Sequence, residues 1–299
     1  MLWSLSFQEV SMNFGGLEPE FSTLEQSAFV VIPVPYDLTS TYQSGSRRGP
    51  LAILEASGNM ELYDEELDRE TYRAGIYTAP AVEADASGPE SMVLAVRERV
   101  KEVLDLDKIP VLLGGEHSIS LGAVQAIQRK YPGLRVLQLD AHADLRDAYQ
   151  GTPYSHACIA RRIVEICPLV QAGIRSMSAA EAQYLKKDEG VVRSFSADFV
   201  MAGDENLDRI SELLEGDIYI TVDLDALDPA FMPATGTPEP GGIDWKALTG
   251  LLRRVSRRAR IRGFDVVELS PLPGLVAPDF LAAKLVYRMM GYVCLPAGR

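Results

Sequence analysis

The sequence predicts an α/β protein in which helices cover both faces of a mostly parallel central sheet. Short apolar runs alternate with amphipathic runs along the chain, an order that is typical of repeated βα units. Several apolar runs are rich in β-branched residues throughout, as in strands that are buried on both faces. With 299 residues, 47% of them apolar and 24% charged, the chain can bury a large core.

Strands are predicted where the apolar runs are uninterrupted, at 29–34, 109–113, 135–140, 169–174, 217–223 and 263–268. Helices are predicted between them because apolar residues recur there at helical spacing, as at Val93, Val96 and Val100. Pro50 suits the first position of a helix. The predicted helices span 50–56, 91–104, 121–130, 208–214, 245–259 and 280–290.

The chain shows neither an internal repeat nor a Ser/Gly-rich linker. We therefore expect residues 1–299 to form a single catalytic domain. The segment 229–242 is rich in Pro and Gly and is long for a loop. Loops of this length are often functional, which makes it a candidate part of a site.

The charge balance excludes one class of partner. Lys plus Arg total 29 and Asp plus Glu total 42, so the formal net charge is 29 − 42 = −13. Nucleic-acid binding needs clustered basic residues, so we expect no nucleic-acid partner. An acidic protein is better suited to a small cationic ligand, although solubility alone also explains the charge.

The cysteines and the N-terminus indicate the compartment. Cys158, Cys167 and Cys294 are odd in number and widely spaced, which is unlike a disulfide framework and fits a reducing compartment. Residues 1–10 lack the basic and apolar regions of a signal peptide, and no apolar run approaches the ~20 residues of a membrane span. We expect a cytoplasmic protein without a membrane partner.

Two acidic motifs follow predicted strands. Residues 140–144 read Asp-Ala-His-Ala-Asp, and residues 223–229 read Asp-Leu-Asp-Ala-Leu-Asp-Pro. In an extended chain, alternate residues point the same way, so each motif aims its acids into one space at the carboxyl end of a strand. Solvated loop acids are the alternative interpretation, and for Asp228 turn formation is the better one.

The other two histidines lie in motifs that are weaker when taken alone. His117 follows a strand and two glycines in 113–118, Leu-Gly-Gly-Glu-His-Ser, and His156 lies in 154–157, Tyr-Ser-His-Ala. A lone histidine after a strand or on a loop is more often structural than a ligand. We interpret Glu116 as a capping or supporting group rather than a ligand.

Taken together, the motifs predict a metal site, because Asp140, Asp144, Asp223 and Asp225 would repel one another unless cations lay between them. Two divalent ions balance four carboxylates, and neutral His117 and His142 add nitrogen ligands. Oxygen and imidazole ligands without thiolate favour Mn²⁺ or a similar ion over structural zinc. Paired ions commonly activate a water molecule.

These motifs, in this order, resemble those of the ureohydrolase family, the arginases and agmatinases. The segments 44–50, Ser-Gly-Ser-Arg-Arg-Gly-Pro, and 236–242, Gly-Thr-Pro-Glu-Pro-Gly-Gly, match as well, and the resemblance spans about 33–291. The wider sequence is more similar to the agmatinases. The resemblance implies a three-layer α/β/α sandwich and a single ureohydrolase domain.

The resemblance also implies roles for individual residues. One Mn²⁺ would be held by His117, Asp140, Asp144 and Asp223, and the other by His142, Asp140, Asp223 and Asp225. Asp144 would in addition orient the attacking hydroxide. His156 matches the proton-shuttling histidine of the family, and Glu268 matches the acid that holds the substrate guanidinium.

The implied reaction is hydrolysis of the guanidinium group of agmatine or a related guanidino-amine to urea and a primary amine, as in polyamine synthesis. No redox or organic cofactor is implied, and family members are typically homotrimers or homohexamers. N1-aminopropylagmatine and guanidinobutyrate are alternative substrates. The segment 145–151 departs from typical arginases, which argues against arginine. Asp147 and Glu239 are candidate contacts for a distal ammonium.

Two other classes remain open from the sequence. The first is a formimidoyl or amide hydrolase, such as a formimidoylglutamase, or a histone-deacetylase-like enzyme with one zinc. The paired Asp/His set favours two ions instead. The second is a non-catalytic relative that binds a guanidino ligand, but such a protein is expected to have lost ligands, and here none is missing.

Overall fold

A computed structural model describes residues 12–188 and 190–295. The segment 1–11, which contains the residues examined for a signal peptide, lies outside them. Ten strands are present: β1 Phe29–Val34, β2 Tyr63–Asp64, β3 Arg69–Glu70, β4 Ile76–Thr78, β5 Ile109–Gly114, β6 Arg135–Leu139, β7 Leu169–Ile174, β8 Val192–Ser196, β9 Gly216–Asp223 and β10 Ala259–Val267.

Ten α-helices accompany the strands in the described ranges. They are α1 Pro19–Ser22, α2 Gly49–Ser57, α3 Pro89–Asp105, α4 Ser120–Lys130, α5 Ile159–Ile163, α6 Ala179–Lys187, α7 Ala197–Met201, α8 Asp204–Ser211, α9 Trp245–Arg258 and α10 Ala277–Val293. None of the described helices is both long enough and apolar enough to cross a membrane.

The predicted elements are present, and most of their bounds agree within a few residues. The bounds of the helix predicted at 208–214 are wrong, because α8 spans Asp204–Ser211. It begins after Gly203, whose φ of 129° separates it from the preceding helical turn. The short helices α1, α5 and α7, the helix α6 and the edge strands β4 and β8 were not predicted.

Eight strands form one sheet in the order β4-β1-β5-β10-β9-β6-β7-β8, and every neighbouring pair is parallel. The remaining two, β2 and β3, form a small antiparallel hairpin. All eight carboxyl ends therefore lie along the same edge of the sheet, where sites form in open α/β folds. This architecture confirms the predicted α/β sandwich.

The core has two parts because the sheet is covered on both faces. In β1, Phe29 and Val31 belong to a buried cluster that includes residues of α2, α8, α9 and α10, whereas Val30, Ile32 and Val34 belong to a cluster that includes residues of α3, α4 and α5. Every residue of β1 is buried. The uninterrupted apolar run of this strand is the direct result of burial on both faces.

A buried ion-pair cluster joins the β2-β3 hairpin to α10. Arg288 contacts Asp64 at 3.0 Å, and both side chains are at most 5% exposed. The guanidinium also contacts Glu65 at 2.6 Å and Glu66 at 3.1 Å. Because Asp64 further accepts hydrogen bonds from the backbone N–H groups of Glu66 and Leu67, the cluster fixes the shape of the hairpin.

Replacing Arg288 is expected to destabilise the fold. Arg288→Met leaves the buried Asp64 carboxylate without its cation, which costs about 3–5 kcal/mol. Urea unfolding followed by circular dichroism measures the change. Arg73→Met is the control, because the Arg73–Glu70 pair is exposed and such pairs contribute about 0–1 kcal/mol. Equal effects of the two substitutions would contradict this account.

Candidate active site

The candidate site lies at the carboxyl edge of four adjacent strands, β5, β10, β9 and β6. His117 follows β5, Asp140 follows β6, Asp223 ends β9 and Glu268 follows β10. Parallel pairing places these strand ends side by side, so residues far apart in sequence meet in one pocket of about 300 Å³. The lining includes His142, Asp144, His156, Asp223, Asp225 and Glu268.

His117 is central to the first group of acids. Its Nδ1 atom is 3.1 Å from an oxygen of Asp140 and 3.4 Å from oxygens of Asp144 and Asp223. Nδ1 is buried and makes no well-aligned hydrogen bond to any described residue. Separations of about 3 Å are those of neighbouring ligands around an ion with bonds of about 2.1 Å. The group can therefore hold a metal ion.

His142 forms the second group. Its Nδ1 atom is 2.9 Å from Asp225 and 3.7 Å from Asp140. Asp140 belongs to both groups of potential ligands, and this is the arrangement that a bridging carboxylate requires. The Asp223 carboxylate accepts a hydrogen bond from the Asp225 backbone N–H at 2.9 Å. The Asp225 carboxylate accepts one from the Ala141 N–H at 3.0 Å, and this second bond joins the loop after β9 to the loop after β6.

Two site residues have left-handed backbones. Asp144 has φ of 53° and Glu268 has φ of 65°, a conformation that is costly for residues with side chains. The Glu268 backbone N–H donates to the Gly115 carbonyl at 2.8 Å, and its carboxylate accepts from the His117 N–H at 2.7 Å. These contacts hold Glu268 in the pocket beside the candidate metal ligands.

A buried polar row beneath the site orients His117. Its Nε2 is 2.8 Å from the Thr221 hydroxyl, which donates to Asp265 at 2.6 Å. The Tyr219 hydroxyl donates to the other Asp265 oxygen at 2.6 Å. Because the Thr221 hydroxyl donates its hydrogen bond to Asp265, it can only accept a hydrogen bond from the N–H group at Nε2. Nδ1 is then left with a lone pair directed at the acids, as a metal ligand needs.

The shifted pKa values of the acids and of His142 indicate a site that attracts cations. Burial raises the pKa of Asp140 and Asp223, and the nearby Asp225 carboxylate raises both further. Burial also raises the pKa of Asp144, to about 7, with repulsion from Asp140 adding to it. The pKa of His142 is lowered by burial but raised more strongly by Asp225, to about 11. The acids thus attract positive charge, and divalent ions fit this donor set.

His156 faces the same pocket from the loop after β6. Burial, with the neighbouring His117 and His142, lowers the pKa of His156 to about 4. The Tyr149 ring meets the imidazole edge-on, with centroids 6.2 Å apart. Tyr149 is held by two backbone hydrogen bonds with Thr152, which close a tight turn. A neutral imidazole therefore faces the candidate ligands across the pocket.

The two candidate contacts for a distal ammonium are placed differently. Glu239 lies near the pocket, with one oxygen 2.9 Å from the Ser176 hydroxyl and 3.7 Å from His142 Nε2. Asp147 instead lies on the surface, 81% exposed, and pairs with Arg162 at 2.6 Å. The structure favours Glu239, which belongs to the long loop 229–242.

Arg175 is a supporting residue that the sequence analysis did not identify. Its guanidinium donates to backbone carbonyls on both sides of the site, including those of Asp225 at 2.7 Å and Glu239 at 2.7 Å. It therefore joins the end of β7 to the Asp225 loop and to the loop 229–242. Only its place directly after β7, as Gly-Ile-Arg-Ser at 173–176, could have drawn attention to it.

Asp228 is confirmed as a turn residue. Its carboxylate accepts from the backbone N–H groups of Ala230, Gly241 and Gly242 at 2.8–3.0 Å, and it thereby closes the loop 229–242 on itself. Apart from Asp147, the structure thus brings together the residues predicted to bind metal or substrate. Their individual roles remain predictions.

Fold and site together define a three-layer α/β/α protein with a candidate two-ion site at the carboxyl edge of its sheet. The model of the arginase family matches residues 27–291. The chain belongs to the arginase family, whose members are binuclear metal enzymes, as the motifs indicated.

Individual relatives and a solved structure agree with this assignment. The chain is 36% identical over 286 residues to N(1)-aminopropylagmatine ureohydrolase of Synechocystis sp., with 92% of each chain covered. It is 40% identical over 275 residues to the Thermus thermophilus protein of the same name, covering 92% of this chain and 93% of that one. The agmatine ureohydrolase structure of Thermoplasma volcanium superposes with a TM-score of 0.83, at 32% identity and 94% coverage of each chain.

Removing the Thr221 hydroxyl is expected to weaken metal binding. Thr221→Val keeps the shape of the side chain but leaves Nε2 of His117 without its acceptor, and such supporting contacts contribute about 10–100-fold to metal affinity. Competition between the protein and a chromophoric chelator for Mn²⁺ measures the loss. Thr221→Ser should restore most of the affinity.

The matched control is Thr249→Val, which removes a buried hydroxyl that bonds within α9 at Trp245. It should leave Mn²⁺ affinity unchanged. An unchanged affinity in Thr221→Val would show that Thr221 does not orient His117.

Proposed function

We propose that this protein is a binuclear metal-dependent ureohydrolase that releases urea from a guanidino-amine. The observation that carries the proposal is the convergence of two Asp/His ligand groups, Glu268 and His156 on one pocket. The named activities of its relatives, on N(1)-aminopropylagmatine and agmatine, support the same reaction.

Glu268 is the group we assign to the substrate cation. A buried carboxylate pairs favourably with a planar guanidinium through charge-assisted hydrogen bonds. The His117 N–H already occupies one lone pair of Oε1, so Oε2 and the remaining lone pair of Oε1 are left for the substrate. Binding there presents the central guanidinium carbon to the metal ligands.

The metal ions would be held by His117, Asp140, His142, Asp144, Asp223 and Asp225. Ions bound there would supply a nucleophile at neutral pH, because metal coordination lowers the pKa of water toward about 7. Asp144, at the pocket surface beside His117, is placed to accept a hydrogen bond from the attacking water.

His156 is the residue we assign to proton transfer. Its low pKa keeps the imidazole neutral at physiological pH, so one ring nitrogen has a free lone pair. A neutral imidazole can take a proton in the pocket and pass it to the departing amine, and the guanidinium carbon is released as urea.

The substrate tail is the part that distinguishes members of this class. Agmatine carries one distal primary ammonium. In N1-aminopropylagmatine that nitrogen is a secondary amine, and the added propyl chain ends in a further primary ammonium. Glu239 lies at the side of the pocket, partly exposed, and is placed to receive a cationic tail. The relatives from Synechocystis and Thermus are named for the longer substrate. We therefore propose N1-aminopropylagmatine as the first alternative to agmatine.

We further propose Mn²⁺ as the metal, because carboxylates and imidazoles without thiolates suit it. The proposal extends to a homotrimer or homohexamer, as the sequence resemblance implies, and to the cytoplasm, as the cysteine pattern indicates. Metal analysis of protein purified from its native host and sedimentation of the purified chain would examine these points.

A substrate panel tests the reaction itself. Urea release by Mn²⁺-loaded protein is measured on agmatine, N1-aminopropylagmatine, guanidinobutyrate and arginine, and formamide release is measured on formimidoylglutamate. We expect turnover of a guanidino-amine and little of arginine. Glu239→Gln should raise KM most for the preferred cationic tail. No urea from any guanidino compound, with two metals bound per chain, would contradict the proposed function.

Two substitutions separate metal binding from proton transfer. Asp223→Ala is expected to lose metal and all activity, because it removes a ligand close to His117. His156→Ala should keep both metals and lower kcat by about 10²–10⁴, as is typical of groups that transfer protons. Metal content by mass spectrometry accompanies the kinetics, and loss of metal from His156→Ala would overturn its assigned role.

A further inference from the structure

Thr39 occupies a position that the proposed mechanism does not yet use. It lies on the loop after β1, and its hydroxyl oxygen is 3.1 Å from Nδ1 of His156. The same oxygen accepts the backbone N–H of His156 at 3.0 Å. One side chain thus contacts both the ring and the main chain of the residue assigned to proton transfer.

The other partner of Thr39 is a buried carboxylate. Glu116 is fully buried, and its Oε1 atom accepts the Thr39 hydroxyl at 2.6 Å. Its Oε2 atom accepts the Thr39 backbone N–H at 2.6 Å, and Ser118 donates a further hydrogen bond to Oε1. Three donors converge on Glu116, so it acts here as an acceptor.

Counting protons then gives the state of the imidazole. A threonine hydroxyl has one proton and two lone pairs. Its proton goes to the Glu116 carboxylate, the stronger acceptor, and its lone pairs receive the two N–H groups of His156. The Ser155 hydroxyl also lies 3.3 Å from Nδ1, but Thr39 is the nearer partner at 3.1 Å and has no proton left to donate. Nδ1 therefore carries the proton, and the free lone pair belongs to Nε2.

The loop that carries Thr39 is fixed by the sheet. The Glu116 N–H donates to the Tyr36 carbonyl at 2.7 Å, and the Gly115 N–H donates to the Val34 carbonyl at 2.9 Å. A Cβ at Gly115 would lie 1.9 Å from the Tyr36 carbonyl oxygen, so only glycine permits this approach. The ends of β1 and β5 thus hold Thr39 and Glu116 in register.

We propose that Thr39, held by Glu116, is a positioning residue that fixes His156 as the Nδ1–H tautomer and leaves Nε2 free to transfer the proton. This inference rests on the proposed function, in which His156 serves the departing amine. Thr39 itself touches neither the candidate metal ligands nor, in this account, the substrate.

The kinetic test compares two substitutions in the Mn²⁺-loaded protein. Thr39→Val keeps the shape and removes the hydroxyl, and we expect kcat to fall about 10–100-fold while KM and metal content stay unchanged. Thr39→Ser keeps the hydroxyl and should recover most of kcat. Thr249→Val, a buried hydroxyl in α9, is the control and should match the wild type.

A double substitution separates positioning from a general structural effect. In a His156→Ala background, Thr39→Val should cause no further loss of kcat, because residues that act through one another are non-additive. A full additional loss there, failure of Thr39→Ser to recover activity, or loss of metal from Thr39→Val would overturn the proposal.

The tautomer can also be read without any turnover. The chain has three histidines, so ¹⁵N-imidazole signals of Mg²⁺-loaded protein can be assigned from single substitutions. We expect a protonated Nδ1 at His156 in the wild type and a mixed signal in Thr39→Val. A protonated Nε2 in the wild type would overturn the inference even if urea is released. Absence of urea release with a protonated Nδ1 would overturn the proposed function alone.

Discussion

The mutual repulsion of buried carboxylates is the constraint on which the rest of this structure depends. Asp140, Asp144, Asp223 and Asp225 are each at most 7% exposed and converge on two histidines. In a low-dielectric interior such a group is unfavourable unless positive charge is held among its members. The raised pKa values of His142, Asp140, Asp144 and Asp223 express this demand. The site therefore favours positive charge, which the proposed metal ions and a cationic substrate would supply.

The fold brings these residues together because every candidate metal ligand lies at or shortly beyond the carboxyl end of a parallel strand. The strand ends alone do not orient the side chains of the site, and local contacts provide that orientation. Asp144 and Glu268 adopt left-handed backbones, and Arg175 ties the carbonyls of neighbouring loops together with one guanidinium. Backbone strain and buried polar contacts occur together here and in the row of Tyr219, Thr221 and Asp265 just below, whereas β1 is an apolar strand buried along its whole length.

The central strands and the ligand motifs could be predicted from sequence because each has a local signal. β1 is a run of buried apolar residues, and the Asp-Ala-His-Ala-Asp motif is short and follows a strand. The edge strand β8 has alternating polar residues and few apolar ones, so it lacked this signal. Helix α6 does have a local sequence signal, which the sequence analysis did not use: Ser178 and Glu181 form a reciprocal capping box at its start.

Thr39 and Thr221 were beyond sequence reasoning for a different reason. A single threonine on a loop or in a strand forms no recognisable sequence motif, and its role depends only on the residues with which it forms hydrogen bonds. In the structure, the hydroxyl of each threonine donates to a buried acid and lies beside an imidazole nitrogen, so it offers that nitrogen only a lone pair. Under the proposal, Thr221 accepts from Nε2 of His117 and leaves Nδ1 for metal, whereas Thr39 accepts from Nδ1 of His156 and leaves Nε2 for the proton. The two imidazoles would then adopt opposite tautomers, and hence different roles, because the hydroxyls approach them from different sides.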